Sequence, residues 1–259
     1  MDLLLQQFGE QSVVGFILVL ARLSPLFVLA PLFSSRLIPL RVRGIVAVAL
    51  AVGLSPVLAR GHHLPTAPVE LAYLAGKELL IGLAFAFVVG SLFTAVAVAG
   101  SLLDSSIGFS YGSLVDPFTG VQSSVLQQAY SLIAILVFIA IGGDAWVVQG
   151  IARTYELVPI DQMPQLGTLV AGVEHAFVSI FAAAIQVCGP VLLAIVLTDA
   201  AFGLVSRVVP QLNVFGVGFP AKVTVGLLII GVSLPFAAGW ISDQLQDSVS
   251  AALQSLRVA

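Results

Sequence analysis

Residues 71–103 read LAYLAGKELLIGLAFAFVVGSLFTAVAVAGSLL, an apolar stretch in which Lys77 and Glu78 carry the only charges. Such a run predicts a membrane helix, because a helix satisfies its own backbone polar groups where lipid offers no partners. At ~1.5 Å per residue the helix would be about 50 Å long, whereas a bilayer's hydrocarbon core is ~30 Å thick. The excess length indicates that protein surrounds part of this helix.

Five further apolar stretches accompany this one along the chain. The six stretches are approximately residues 13–33, 44–59, 71–103, 125–151, 176–197 and 223–241. No alternating strand pattern with regular turns accompanies them, which disfavours a β-barrel. The predicted fold is therefore an all-α membrane protein, with the whole chain, residues 1–259, forming one membrane domain.

The composition supports a membrane environment and excludes several kinds of site. The chain is 59% hydrophobic and 9% charged, against about 25% charged for a typical soluble domain. Its net charge of −3 gives no basic surface for nucleic acid. Cys188 is the single cysteine, so an internal disulfide and a multi-cysteine metal site are both excluded.

Prolines interrupt the apolar stretches and predict kinks, because proline removes a helix hydrogen bond. The prolines concerned are Pro25, Pro31, Pro56, Pro190 and Pro235. Together they favour broken helices and helical hairpins over simple membrane spans.

Small residues recur every four positions in the third stretch and predict close helix packing. They are Gly82, Ala86 and Gly90, followed by Ser91, Ala95 and Ala99. Packing within the chain and packing against other subunits both fit this pattern, so both alternatives stay open.

Several charged residues lie within or at the ends of the apolar stretches, where a charge is costly to bury. Arg22, Lys77, Glu78 and Asp144 lie inside apolar stretches, while Asp104 and Asp199 lie at stretch ends. A charge at a bilayer centre costs roughly 2.5–3.5 kcal/mol, so such residues pair with each other or face water. A proton or ion relay is one interpretation; we favour buried pairing, and complementary charge suggests an Arg22–Glu78 pair.

Catalytic patterns are weak. Residues 108–112 match G-x-S-x-G around Ser110, but that motif needs a strand–turn–helix setting and later His and Asp partners. The only later histidine is His175, and the adjacent His62 and His63 have no carboxylate or cysteine cluster nearby. No phosphate-binding loop is present either. We therefore expect no enzymatic activity and no cofactor or metal.

Taken together, the connections between the stretches resemble the FliR family of flagellar biosynthetic proteins, whose superfamily includes injectisome homologues. The first two sets of matching residues are Arg22, Pro31, Arg36, Ile38, Pro39 and Arg43, and then Glu78, Gly82, Ala99, Gly100, Asp104, Gly108, Asp116 and Pro117. The third and most specific set is Arg207, Pro210, Gln211, Asn213, Phe215, Gly218, Pro220 and Lys222. Family members often carry histidine after the glycine of the fourth stretch, where this chain has Asp144.

The resemblance implies a subunit of the type III protein export gate in the bacterial inner membrane and flagellar basal body. Such subunits assemble with FliP and FliQ into a helical ring of hairpins and kinked helices. FlhB wraps the entrance, FlhA and the basal-body ring are further expected partners, and unfolded flagellar subunits pass through. The equivalent subunit of a virulence injectisome is the alternative, and a secondary transporter with broken helices or an intramembrane hydrolase are more distant ones.

The resemblance also implies roles for two connections. Residues 105–124 correspond to a family loop that projects into the pore as a plug. Its candidate residues are Gly108, Phe109, Ser110, Tyr111, Gly112, Leu114, Val115, Asp116 and Pro117. Apolar side chains in a narrow neck seal by excluding water, and glycines permit the backbone to move aside.

Residues 206–222, which hold the third set of matching residues, are predicted to form a rigid turn at a subunit interface. Arg22, Glu78, Asp104 and Asp199 are predicted to serve assembly as buried charges. The tail, residues 242–259, places Leu245, Val249, Leu253 and Leu256 on one helical face; we expect that face to lie on a surface or against a partner.

Overall fold

The computed structural model describes residues 10–30, 39–58, 64–65, 67–109, 124–209, 211, 213–254 and 256. These residues form eight helices and no strand, which confirms the all-α prediction. The helices are α1 (Glu10–Leu23), α2 (Leu26–Leu29), α3 (Leu40–Leu58), α4 (Pro68–Ile107), α5 (Val125–Ala140), α6 (Gly143–Leu157), α7 (Leu166–Val208) and α8 (Val214–Gln254).

Among the described residues, five helical stretches are long and apolar enough to cross a membrane, and α5 with α6 makes a sixth if the broken pair counts as one span. The three longest helices far exceed a bilayer's hydrocarbon core. They contain 40, 43 and 41 residues (α4, α7 and α8), or about 60 Å each at the usual helical rise. Each of these helices is longer than the apolar stretch that it contains, because the flanking residues continue the helix beyond the apolar part.

The chain divides into two compact units. The first contains α1 to α3, α4 up to Ser91, α6, the start of α7 up to Phe177, and the chain from Leu245 onward. Within it α1 packs against α3, and Ile81, Val158 and Leu256 form a buried apolar cluster.

The second unit contains the rest of α4, α5 and most of α7 and α8. In it α7 and α8 form an antiparallel hairpin: Asp199 pairs with Lys222, and Trp240 Nε1 donates to Gln186 Oε1 at 3.2 Å. The aromatic rings of α4 and α5 meet edge to face at Phe93 and Phe138, with centroids 5.4 Å apart.

The helix breaks differ from those that the prolines predict. A break does occur at Ser24–Pro25, between α1 and α2. However, α7 continues through Pro190, and α8 continues through Pro220 and Pro235. Helices this long tolerate the loss of one hydrogen bond, because packing and local adjustment compensate for it.

The fourth apolar stretch, predicted as one helix, is instead broken between Ala140 and Gly143. Gly142 has a φ of +69°, a left-handed conformation that glycine adopts without steric cost. Asp144 consequently lies exposed in the first turn of α6, where a negative charge is favoured by the helix dipole. Asp144 thus lies at the start of α6, after the break, rather than in the middle of one continuous helix.

The tail is part of α8 as far as Gln254 rather than a separate surface helix. Leu245 and Leu256 are buried, and Leu256 packs on Ile81 and Val158 of the same unit. The sequence pattern predicts that the apolar face of the tail lies on a surface or against a partner. It packs on its own chain, because α4 and the end of α6 provide an apolar surface for it.

Candidate functional site

A buried ion pair joins α1 to α4. Arg22 Nε donates to Glu78 Oε2 at 2.5 Å, and neither side chain is exposed. The pairing proposed from charge alone is thus present. Breaking such a pair is costly, because the remaining charge would stay buried without compensation.

The remaining nitrogens of Arg22 bind the last turn of α6. Nη1 donates to Thr154 Oγ1 at 3.1 Å and Nη2 to the Val158 carbonyl at 3.0 Å. The guanidinium also stacks over the ring of Tyr155, 3.8 Å from its centroid. Arg22 therefore supplies a positive charge to a helix C-terminus, where the helix dipole favours cations.

Lys77 makes similar contacts with the backbone of the residues that follow α6. Its ammonium donates to the carbonyls of Ile160 and Gln162 and lies 3.1 Å from Glu78 Oε1. We call Arg22, Lys77, Glu78, Thr154 and Tyr155 the charged cluster. It holds two cations and one carboxylate, and the carbonyls after α6 carry the partial negative charge that offsets the second cation.

The charged cluster fits a structural role better than a proton relay. Glu78 Oε1 accepts no hydrogen bond from the described residues, but the adjacent Lys77 ammonium lies at ion-pair distance from it. The buried Tyr155 hydroxyl also finds no hydrogen-bond partner in the described part of the chain. Each charged side chain is held by groups from another helix or turn, which ties α1, α4 and α6 together.

The small-residue stripe of α4 brings its backbone into contact with the backbones of α1 and α2 inside the first unit. A Cβ atom on Gly82 would lie 2.0 Å from the Arg22 carbonyl oxygen, and one on Gly90 would lie 3.1 Å from the Leu29 carbonyl oxygen. Ala86 is fully buried between them. Of the two alternatives, packing within the chain is therefore the one that the structure shows for these three residues.

In the second unit, the Asp104 carboxylate binds the start of α5. It accepts the Ser124 hydroxyl on Oδ2 and the Leu126 and Gln127 backbone N–H groups at 3.1 and 3.2 Å. Below it, a Cβ atom on Gly100 would lie 2.6 Å from Gln127 Cα, so α4 and α5 touch through their backbones. Asp104 is thus a buried cap, paired with donors rather than with a cation.

The predicted plug loop begins where α4 ends. Gly108 has a φ of +104°, and its N–H donates to the Asp104 carbonyl at 3.1 Å. Phe109 is half-buried. The other candidate plug residues, Ser110, Tyr111, Gly112, Leu114, Val115, Asp116 and Pro117, lie outside the described residues.

The predicted interface turn is shorter than residues 206–222. Arg207 is exposed in the last turn of α7, and α8 begins at Val214, so Phe215, Gly218, Pro220 and Lys222 are helical. Gln211 is exposed in the short connection, and Pro210 lies outside the described residues. Asn213 explains the early start: its Oδ1 accepts the Gly216 N–H at 2.9 Å, which caps α8.

Asp199 on α7 pairs with Lys222 on α8, with 2.6 Å between Oδ1 and Nζ. Unlike the charged cluster, this pair is accessible to solvent: the side chain of Asp199 is 49% exposed and that of Lys222 is 26% exposed. Asp199, predicted to be a buried charge that serves assembly, is half exposed in this chain by itself, since α7 and α8 leave this side uncovered. The pair would be unfavourable against lipid, which offers no hydrogen bonds or counter-charges.

The geometry of the described residues does not support the catalytic alternatives. His175 is exposed on α7, and Ser110 lies outside the described residues. Among those described, no group of three or more His, Cys, Asp or Glu side chains is placed to hold a metal ion.

Comparisons with known proteins agree with the resemblance. The sequence model of a family described as bacterial export proteins, family 1, matches residues 13–248. The chain is 34% identical over 225 residues to the flagellar biosynthetic protein FliR of Bacillus subtilis (strain 168), covering 85% of this chain and 86% of that protein.

Two further relatives match over similar lengths. The flagellar biosynthetic protein FliR of Escherichia coli (strain K12) is 28% identical, covering 85% of this chain and 84% of that protein. The surface presentation of antigens protein SpaR of Shigella sonnei is 27% identical, covering 82% of each. The chain therefore belongs to family 1 of the bacterial export proteins, the family that includes the FliR flagellar biosynthetic proteins.

Proposed function

We propose that this chain is a core subunit of the flagellar type III protein export gate in the bacterial inner membrane. It assembles with FliP and FliQ and helps to form the conduit through which unfolded flagellar subunits leave the cell. The family match over residues 13–248 carries this proposal. The relative at 34% identity is flagellar, whereas SpaR of Shigella sonnei reaches 27%, which favours flagellar use over the injectisome alternative.

The uncovered apolar surface supports assembly with other helical subunits. On α7, Phe177, Phe181 and Ile185 recur every four residues and are each more than half exposed. The open Asp199–Lys222 pair lies farther along α7 and on α8. Apolar side chains and an ion pair within one hairpin suit a surface covered by protein better than one facing only lipid.

Helix length supports the same proposal. Helices of about 60 Å are twice as long as a ~30 Å hydrocarbon core is thick. Tilting absorbs only part of this difference. Helices α4, α7 and α8 would then extend beyond the bilayer, where neighbouring subunits cover their apolar sides.

A deletion strain tests the function directly. Without this chain, cells are expected to lose swimming motility and secreted flagellin, and a tagged copy should restore both. The tagged chain should co-purify with two other small hydrophobic proteins. Normal swimming in the deletion strain would defeat the flagellar proposal, and loss of virulence-factor secretion instead would point to the injectisome.

We further propose that residues 108–117 seal the idle pore. Deleting residues 109–115 should leave assembly intact but let small ions leak through the membrane, because the apolar filler is gone. Passive ion flux across the membrane of resting cells measures this, with co-purification of the partner subunits as the check on assembly. Replacing exposed Met163 by alanine, outside the loop, is the control and should leak no more than the wild type. An equally tight deletion variant counts against the seal.

A further inference from the structure

Helix α3 has a surface that the described part of the chain leaves almost entirely uncovered. Only 11% of its apolar residues are buried, against 67% in the most apolar stretch of α4. The helix packs against α1, so one side of it is held by the chain. The other sides need a covering, and the identity of that covering follows from the side chains that α3 presents.

The covered and uncovered sides of α3 differ in the size of their side chains. The buried residues are Ala47 and Ala51, which lie one turn apart. The larger side chains of Ile45, Val48 and Val52 lie on the other side, and each is at least 43% exposed. A helix in water buries its large apolar side chains, because their transfer out of water is favourable. The arrangement in α3 is the reverse and suits an apolar surrounding.

Arg41 lies at the end of this uncovered face. Residues four, seven and eleven positions apart share one side of a helix, so Arg41 lies in line with Ile45, Val48 and Val52. Arg41 is exposed in the first turn of α3, where the helix dipole disfavours a cation. Residues 44–57 carry no charge. The face therefore presents one cation at its end, followed by an uncharged row of branched apolar side chains.

The length of α3 also sets it apart from the longest helices. Its 19 residues form a rod of about 28 Å, which matches a hydrocarbon core of ~30 Å. Helices α4, α7 and α8 contain more than twice as many residues. In addition, the hairpin of α7 and α8 carries the exposed Asp199–Lys222 pair. Lipid tails offer nothing to such a pair, whereas they cover an uncharged helix such as α3 without cost.

We propose that α3 is a lipid-facing helix: the acyl chains of phospholipids cover Ile45, Val48 and Val52, and Arg41 binds a lipid phosphate at the headgroup level. The cation and the apolar row match the two parts of a phospholipid, and a long arginine side chain reaches the interface while its stem stays on apolar surface. This inference goes beyond assembly of the gate, because it states which helix the bilayer contacts.

Spin labels on α3 test the lipid contact in the assembled complex. Ile45→Cys, Val48→Cys and Val52→Cys are made singly in a Cys188→Ala background, and the complex is reconstituted into vesicles of phosphatidylcholine and phosphatidylglycerol. Oxygen, which dissolves in lipid, and a water-soluble nickel complex then report the surroundings of each label. We expect oxygen to reach all three labels, and access of nickel to fall from Ile45 to Val52 as depth increases by up to about 10 Å.

Phe181→Cys on α7 is the matched control, because Phe181 is exposed in the chain to a similar extent as Ile45. In the proposed gate it faces other subunits, so its label should be shielded from oxygen and nickel alike. Shielded labels on α3 would place a second copy or another subunit there and overturn the inference. Nickel access at all three α3 positions would place the face in water and overturn it too. If the labels on α3 and α7 both report lipid, the lipid contact of α3 stands and the proposed assembly surface on α7 fails.

Arg41→Gln tests the headgroup contact, since it removes the charge and keeps a polar side chain. With spin-labelled lipids in the same vesicles, the preference of the complex for phosphatidylglycerol over phosphatidylcholine should fall by up to about fivefold, the effect of one basic residue at an anionic surface. Arg153→Gln removes an exposed arginine from α6 and should leave the preference unchanged. No loss with Arg41→Gln, or an equal loss in both variants, would overturn phosphate binding by Arg41.

Discussion

Replacing Glu78 by alanine is expected to lower the free energy of unfolding by about 3–5 kcal/mol, the usual cost of removing one partner from a buried pair. The substitution leaves the guanidinium of Arg22 and the ammonium of Lys77 buried without their shared carboxylate. Arg22 would keep its hydrogen bonds to the Thr154 hydroxyl and the Val158 carbonyl. Neither group carries a full negative charge, so they compensate the lost carboxylate only in part.

Thermal or denaturant unfolding of the purified protein in detergent measures this loss, and the level of folded protein in membranes should fall with it. Glu70→Ala is the matched control, because Glu70 is an exposed glutamate in the first turn of the same helix. It should change stability by about 0.5 kcal/mol or less. Glu78→Gln separates charge from volume and should be nearly as costly as alanine. Equal stability of the Glu78 and Glu70 variants would falsify the structural role of the charged cluster.

The charged cluster illustrates what the sequence reveals about buried charges. Complementary charge in apolar stretches suggests the Arg22–Glu78 pair, because an unpaired charge is too costly there. The part played by Lys77 was not predictable. Its main partners are backbone carbonyls at Ile160 and Gln162, which every residue type provides, so no side chain along the sequence marks them.

The helix breaks show a similar limit. Proline signals a missing hydrogen bond, but packing decides whether the helix breaks, and α7 continues through Pro190. The break at Gly142 follows from a left-handed glycine inside an otherwise apolar run. Glycines occur inside unbroken helices as well, for example Gly189 in α7. Only the three-dimensional packing distinguishes these cases.

Two site residues lay at stretch ends in the sequence, and their surroundings differ completely. Asp104 is buried and caps α5, whereas Asp199 remains half exposed beside Lys222. The distinguishing feature is Gly100, which lets α5 approach α4 closely enough to cover Asp104. A glycine one turn before an acidic residue is too common to predict such a cap without the structure.

Replacing Gly82 by alanine is the second substitution for which we expect a large effect. The added Cβ atom would lie 2.0 Å from the carbonyl oxygen of Arg22 and 2.8 Å from its carbonyl carbon. These are backbone atoms of α1, which cannot rotate away as the end of a side chain could. Overpacking costs typically 1–3 kcal/mol, occasionally more; the backbone clash places Gly82→Ala at or above the top of that range.

The same shift would also disturb the charged cluster, because Arg22 is the residue that the new methyl group displaces. We therefore expect Gly82→Ala to resemble Glu78→Ala in unfolding experiments, and the double variant to lose less than the sum of the two, since both disrupt one contact between α1 and α4. A fully additive double variant would show that the glycine and the ion pair act independently.

Gly76 provides the control, since it lies in the same helix six residues earlier, is exposed, and has open space around its Cα. Alanine there should be neutral or stabilise the protein by up to about 1 kcal/mol, because it favours the helical conformation more than glycine does. The same chemical change in one helix should thus have opposite signs at the two positions. If both variants stabilised the protein, α1 and α4 could not be in backbone contact at Gly82, and the small-residue stripe would be free to pack against another subunit.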